Sequence, residues 1–100
     1  MPHKFLPLKV IELWIPTMEA KRVSEVARSQ RGFLTAFKNV NGKPKDLDVY
    51  WTRRREGFIA RHMAQVVAND EKLFDDHGNP SRRHLALIAW AYSPTPERLK

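Results

Sequence analysis

The chain has 100 residues, 42% of them hydrophobic and 29% charged, with no cysteine and a net charge of +7. That length suits one domain, and that balance excludes wholesale disorder. The lack of cysteine excludes disulfides, thiolate metal sites and thiol nucleophiles together.

No apolar run reaches the ~20 residues that span a bilayer, and the start lacks a basic-then-apolar leader pattern. The expectation is a soluble, cytoplasmic protein with no membrane partner. Charge is unevenly placed. Residues 1–45 hold nine Lys/Arg against three Asp/Glu, residues 46–70 four of each, and residues 71–100 five against four. Such asymmetry points towards a polyanionic partner.

The expected fold is all-α: a small bundle of about three helices with an N-terminal extended arm or short strand. One domain covers 1–100, with an arm at 1–16, a helical core at 17–93 and a tail at 94–100. Residues 8–15, LKVIELWI, favour a strand by residue type, although Leu8, Ile11 and Ile15 also fit a helical stripe. Pro16 is expected to end that segment.

A helix is expected near 17–41, with Thr17 as N-cap and Glu19 in its first turn. Val23, Val26, Ala27, Phe33, Leu34, Phe37 and Val40 form its apolar stripe. The opposite arc carries Lys21, Arg28, Arg31 and Lys38, which makes a basic amphipathic helix. Gly32 falls on the solvent side, where it costs ~1 kcal/mol of propensity relative to Ala. Ser29 could instead cap a second helix near Arg28. Asn41-Gly42 supplies a left-handed cap and Pro44 prevents continuation. A helix-turn-helix also fits the texture of Val23 to Phe37. Its glycine, however, falls five residues after Ala27 where the motif wants four, so one continuous helix is the preferred reading.

The longest element is expected near 48–69, capped by Asp46 or Asp48. Trp51, Phe58, Ile59, Met63, Val66 and Val67 make its apolar stripe, and Arg55 and His62 interrupt it. They are read as a ligand-facing pair or as structural residues, with Arg55 snorkelling its head to water and His62 donating to a backbone carbonyl. Gly57, Ala60, Ala64 and Ala68 form a band of small residues expected to pack on a neighbouring helix.

Asp75-Asp76-His77-Gly78-Asn79 has ligand types without a calcium-loop spacing, so it reads as a turn. Asn79 should cap a last helix near 80–92 that starts with Pro80 and is buried through LALIAWAY. The expected core is Val26, Leu34, Phe37, Trp51, Phe58, Ile59, Met63, Val66, Leu85, Ile88 and Trp90.

For function, the basic arc can neutralise phosphates. The expected nucleic-acid-binding residues are Lys21, Arg28, Arg31 and Lys38, with Arg82 and Arg83 in support at a helix start that favours anions. The polymer could be DNA or RNA, held by backbone contacts because the basic face has few aromatics. The alternative is a module that docks an acidic protein or forms a homodimer, without catalysis. No catalytic residues, metal site or cofactor can be nominated, because no nucleophile, base and orienter share a motif.

Overall fold

A computed structural model describes residues 3–99. Four α-helices follow in order: α1 (Leu8–Lys21), α2 (Phe33–Asn39), α3 (Val49–Ala68) and α4 (Arg82–Ile88). Short 3-10 turns lie at Pro44–Asp46 and Pro96–Arg98. The described residues form no strand, only an isolated bridge between Phe74 and Pro80. The protein is all-α, as expected, with one helix more than anticipated.

The extra helix is α1. Residues 8–15 are helical, neither strand nor extended arm, and the helix runs straight through Pro16. The stripe of Leu8, Ile11, Ile15 and Met18 decided it, with Ile11 and Met18 fully buried. Pro16 sits on the exposed side and α1 packs on α4. Tertiary burial therefore outweighs the ~3 kcal/mol that an interior proline costs an isolated helix.

The continuous helix over 17–41 does not form. Residues 17–21 close α1, residues 22–32 turn, and α2 begins at Phe33 with Gly32 as its N-cap. Gly32 is buried, not solvent-facing. A Cβ there would lie 2.1 Å from the Val26 carbonyl oxygen and 2.4 Å from that of Ala27. Two pieces of backbone cross at that point, and only glycine lets them approach so closely. Val26 is correspondingly 80% exposed and leaves the expected core.

α3 matches its expected span, with the Asp48 carboxylate accepting the Tyr50 N–H as its cap. Ile59 and Val66 are buried, while Trp51, Phe58 and Met63 are half-buried and Val67 is exposed. The small-residue band does not meet another helix, since Ala60, Ala64 and Ala68 all face solvent. α4 is shorter than 80–92 and is capped by Ser81, whose hydroxyl accepts the His84 N–H, rather than by Asn79. Leu85, Leu87, Ile88, Ala89 and Ala91 are fully buried, so the all-apolar run is core, as its pattern predicts.

All four helices end the same way. The N–H groups of Val23, Gly42, Glu71 and Tyr92 reach back to the carbonyls of Met18, Phe37, Val66 and Leu87. The residue before each, respectively Arg22, Asn41, Asp70 and Ala91, has a positive φ between 49° and 60°. These are Schellman endings, which usually place glycine at the left-handed position. None of the four is glycine.

The core is built round a column of rings from three segments. Phe37 stacks on Phe33 at 5.6 Å, Phe33 on Trp90 at 4.9 Å and Trp90 on Phe58 at 4.8 Å. Phe58 stacks on His62 at 3.9 Å, which carries the column from α2 to the surface of α3.

Candidate functional site

Of the six expected anion-binding residues, three have their guanidiniums engaged by other groups of the fold. Arg28 folds back, and its Nε and Nη2 donate to the Val23 carbonyl at 3.1 and 3.0 Å. Arg82 donates to the carbonyls of Lys21 and Arg22, closing the end of α1. Arg83 grips Glu71 with Nε and Nη2 at 2.9 and 3.0 Å. Lys21, Arg31 and Lys38 remain exposed, on the end of α1, the 22–32 turn and α2 respectively. The continuous basic helix expected from the sequence does not form, so Lys21, Arg31 and Lys38 sit on three successive segments of the chain.

Arg55 and His62 are not a pair. Arg55 is fully buried and does not snorkel. Its Nε donates to the Trp90 carbonyl at 2.7 Å, Nη1 to His3 O and Glu56 Oε2, and Nη2 to Lys4 O and Ala91 O, each at 2.9 Å. A guanidinium has five N–H donors, and all five are used. The Phe5 ring lies 3.6 Å from its Cζ. Burial pulls the Arg55 pKa down to about 10 against the pull of Glu56, so it stays charged at neutral pH. Arg55 fastens the 3–6 segment and the turn after α4 onto α3, with no donor left for a ligand.

His62 takes Arg83 as its partner. Arg83 Nη1 lies 2.9 Å from His62 Nδ1. Guanidinium only donates, so Nδ1 accepts and the neutral ring carries its hydrogen on Nε2. Burial, with Arg83 and Arg61 nearby, pushes the His62 pKa down and favours that neutral form.

His84 is buried, and its Nδ1 donates to Leu73 O at 2.8 Å. Nε2 must then accept from the Ser93 hydroxyl, 2.7 Å away. This chain of hydroxyl, imidazole and carbonyl has the connectivity of a nucleophile, base and orienter, and no motif advertised it. Ser93 Oγ also accepts the Thr95 N–H at 3.0 Å. With both residues buried, the set ties the chain after α4 to the segment before it.

The expected turn at 75–79 is built by Asp75, whose Oδ1 accepts the N–H groups of His77 and Asn79. Gly78, at φ 80°, completes it. These two backbone bonds hold the Asp75 carboxyl below the usual range.

The exposed side of α3 carries another group of arginines. Arg53, Gly57 and Arg61 follow one another at four-residue steps, with Arg54 beside them. They edge a hollow of about 200 Å³ whose remaining walls are Phe58 and Trp90. No carboxylate lines it. Arg53, Arg54 and Arg61 are exposed, and none forms an ion pair with another described residue. Gly57 lies against Arg61, whose Nη1 would be 3.3 Å from a Cβ placed there. Arg54 also lies 5.4 Å from the centre of the Tyr50 ring. This basic surface therefore has aromatic neighbours, unlike the face expected from the sequence. The run Arg53-Arg54-Arg55 was the available signal, and burial of its third member is what only packing could show.

No family model matches the chain, and neither do curated proteins or solved structures at a significant level. No helix among the described residues is long and apolar enough to cross a membrane.

Proposed function

We propose that this protein binds nucleic acid through the phosphate backbone, on the exposed face of α3. The observation that carries the reading is the group of Arg53, Arg54 and Arg61 round a hollow with no carboxylate in its wall. Guanidinium groups with no competing carboxylate keep their forks for phosphate oxygens. The net charge of +7 adds a long-range attraction that any polyanion would feel. Phe58, Trp90 and Tyr50 beside the arginines offer apolar contact to a sugar or base edge.

The alternative is self-association. Ala60, Ala64, Val67 and Ala68 leave an unpartnered apolar strip along the same helix, where a second copy could approach closely.

Fluorescence anisotropy with labelled random duplex DNA, duplex RNA and single strands tests the main reading across a salt series. The triple change of Arg53, Arg54 and Arg61 to Gln should weaken binding and flatten the salt slope by roughly 2–3. Changing Lys21, Arg31 and Lys38 to Gln should cost less, since none of the three lines the α3 hollow. Absence of binding to every polymer at low salt would end the nucleic-acid reading. A dimer at low concentration by light scattering would turn attention to the alanine strip.

A further inference from the structure

A second hollow, of about 460 Å³, lies between the start of α4, the middle of α3 and the turn after α1. It shares no lining residue with the arginine hollow of α3. Its size falls within the ~300–1,000 Å³ of small-molecule sites, whereas the α3 hollow falls below it.

Its polar wall is held in place before any ligand arrives. Arg83 is fixed at three donors by Glu71 and His62, which leaves one N–H on Nη1 and one on Nη2 without a partner among the described residues. Arg82 is anchored by the Lys21 and Arg22 carbonyls. The Phe58 ring braces His62, whose Nε2 carries the ring hydrogen. Glu71 is the one carboxylate in the lining, and Arg83 already binds it through both oxygens. Two guanidiniums against one carboxylate leave the wall with a charge of +1. Val23 and Ala86 supply apolar lining, and Ser24 adds a hydroxyl.

We infer that this hollow is a binding site for a small organic anion: an oxyanion head, phosphate monoester or carboxylate, on a compact apolar body. The head meets the remaining donors of Arg83, the Arg82 guanidinium and the His62 Nε2–H. The body lies against Val23 and Ala86. Preorganised donors lose little freedom on binding, which is where such a site gains affinity over loose surface arginines. This reading stands apart from nucleic-acid binding, and either can fail alone.

The test is an NMR titration of the full chain with phenyl phosphate, benzoate, inorganic phosphate and, as a neutral control, benzyl alcohol. Phenyl phosphate or benzoate should shift the amides of Val23, Ser24 and Ala86 and the Arg83 Nε–H, saturating with a Kd on the order of 1 mM or tighter. Which of the two binds more tightly identifies the head group. Ala86→Phe fills the hollow without touching a charge and should raise Kd at least about tenfold. Arg83→Lys keeps the charge but removes the fork, and serves the same purpose should Ala86→Phe fold poorly. Changing Arg53, Arg54 and Arg61 to Gln should leave these shifts intact. No saturable shift with either organic anion, equal binding of benzyl alcohol, or shifts confined to Arg53, Arg54 and Arg61 would overturn the proposal.

Discussion

The guanidinium of Arg55 and the carbonyl of Trp90 meet at 2.7 Å inside the fold, 35 residues apart in the chain. That contact is one of five that Arg55 makes. A buried charge is tolerable only when every donor finds an acceptor. Arg55→Lys keeps the charge but offers three donors from one point, so at least two acceptors lose their bond to this side chain. The expected cost is about 3–5 kcal/mol, a large share of the ~5–15 kcal/mol that holds such a domain folded. Urea denaturation followed by tryptophan fluorescence should show a far earlier midpoint. A wild-type midpoint would mean that the Arg55 cluster is not what fastens the 3–6 segment.

Gly32→Ala separates the observed fold from the helix that periodicity suggests. In a solvent-exposed helix the change would stabilise by ~1 kcal/mol. Here the new methyl group meets two backbone carbonyls at 2.1 and 2.4 Å. The expected result is a loss of about 2–3 kcal/mol, or roughly 10–20 °C in melting temperature. The sign of the shift in a thermal melt decides between the two.

Arg22→Gly should act in the opposite direction. Arg22 is exposed, and its φ of 55° puts it in the left-handed region. Glycine removes that strain while the carbonyl that Arg82 uses remains in place. The gain is about 0.5–1 kcal/mol after the extra freedom of the unfolded chain is subtracted. Calorimetry should record a melting temperature a few degrees higher.

Stability should depend on pH through the two packed histidines. Burial pushes His84 below its ordinary value, more than the Leu73 carbonyl raises it, and His62 is lowered too. The unfolded chain then binds protons that the folded chain resists. Their contribution is complete above the unfolded value of about 6.5 and is lost as pH falls below it. The melting temperature should be level from about pH 7 to 8 and fall below about 6.5. His84→Gln and His62→Gln together should flatten that fall. An unchanged slope in the double variant would assign it to other groups.

These predictions lie where sequence and fold part company. The span of α3, its cap at one of two aspartates, the left-handed Asn41 and the burial of Leu85 and of Leu87 to Trp90 were legible, because each has a local cause. A capping carboxylate, an Asn-Gly pair and an unbroken apolar run say the same thing in any surroundings. Residues 22–32 were not legible. Their apolar spacing continues the helical stripe, yet Arg22 turns left-handed and Gly32 lies under a crossing strand of backbone.

The roles of the arginines divide in the same way. Sequence alone determined that the chain is basic, all-α and built on one long central helix. Only tertiary structure decided which cations bind carbonyls and which face water. Arg28, Arg55 and Arg82 became donors to backbone oxygens at the ends of helices and in turns. Arg53, Arg54 and Arg61 stayed outside, on the side of α3 that no other helix covers. An arginine's fate is set by which acceptors the rest of the fold brings within about 3 Å of it, and residues distant in the chain supply most of those acceptors.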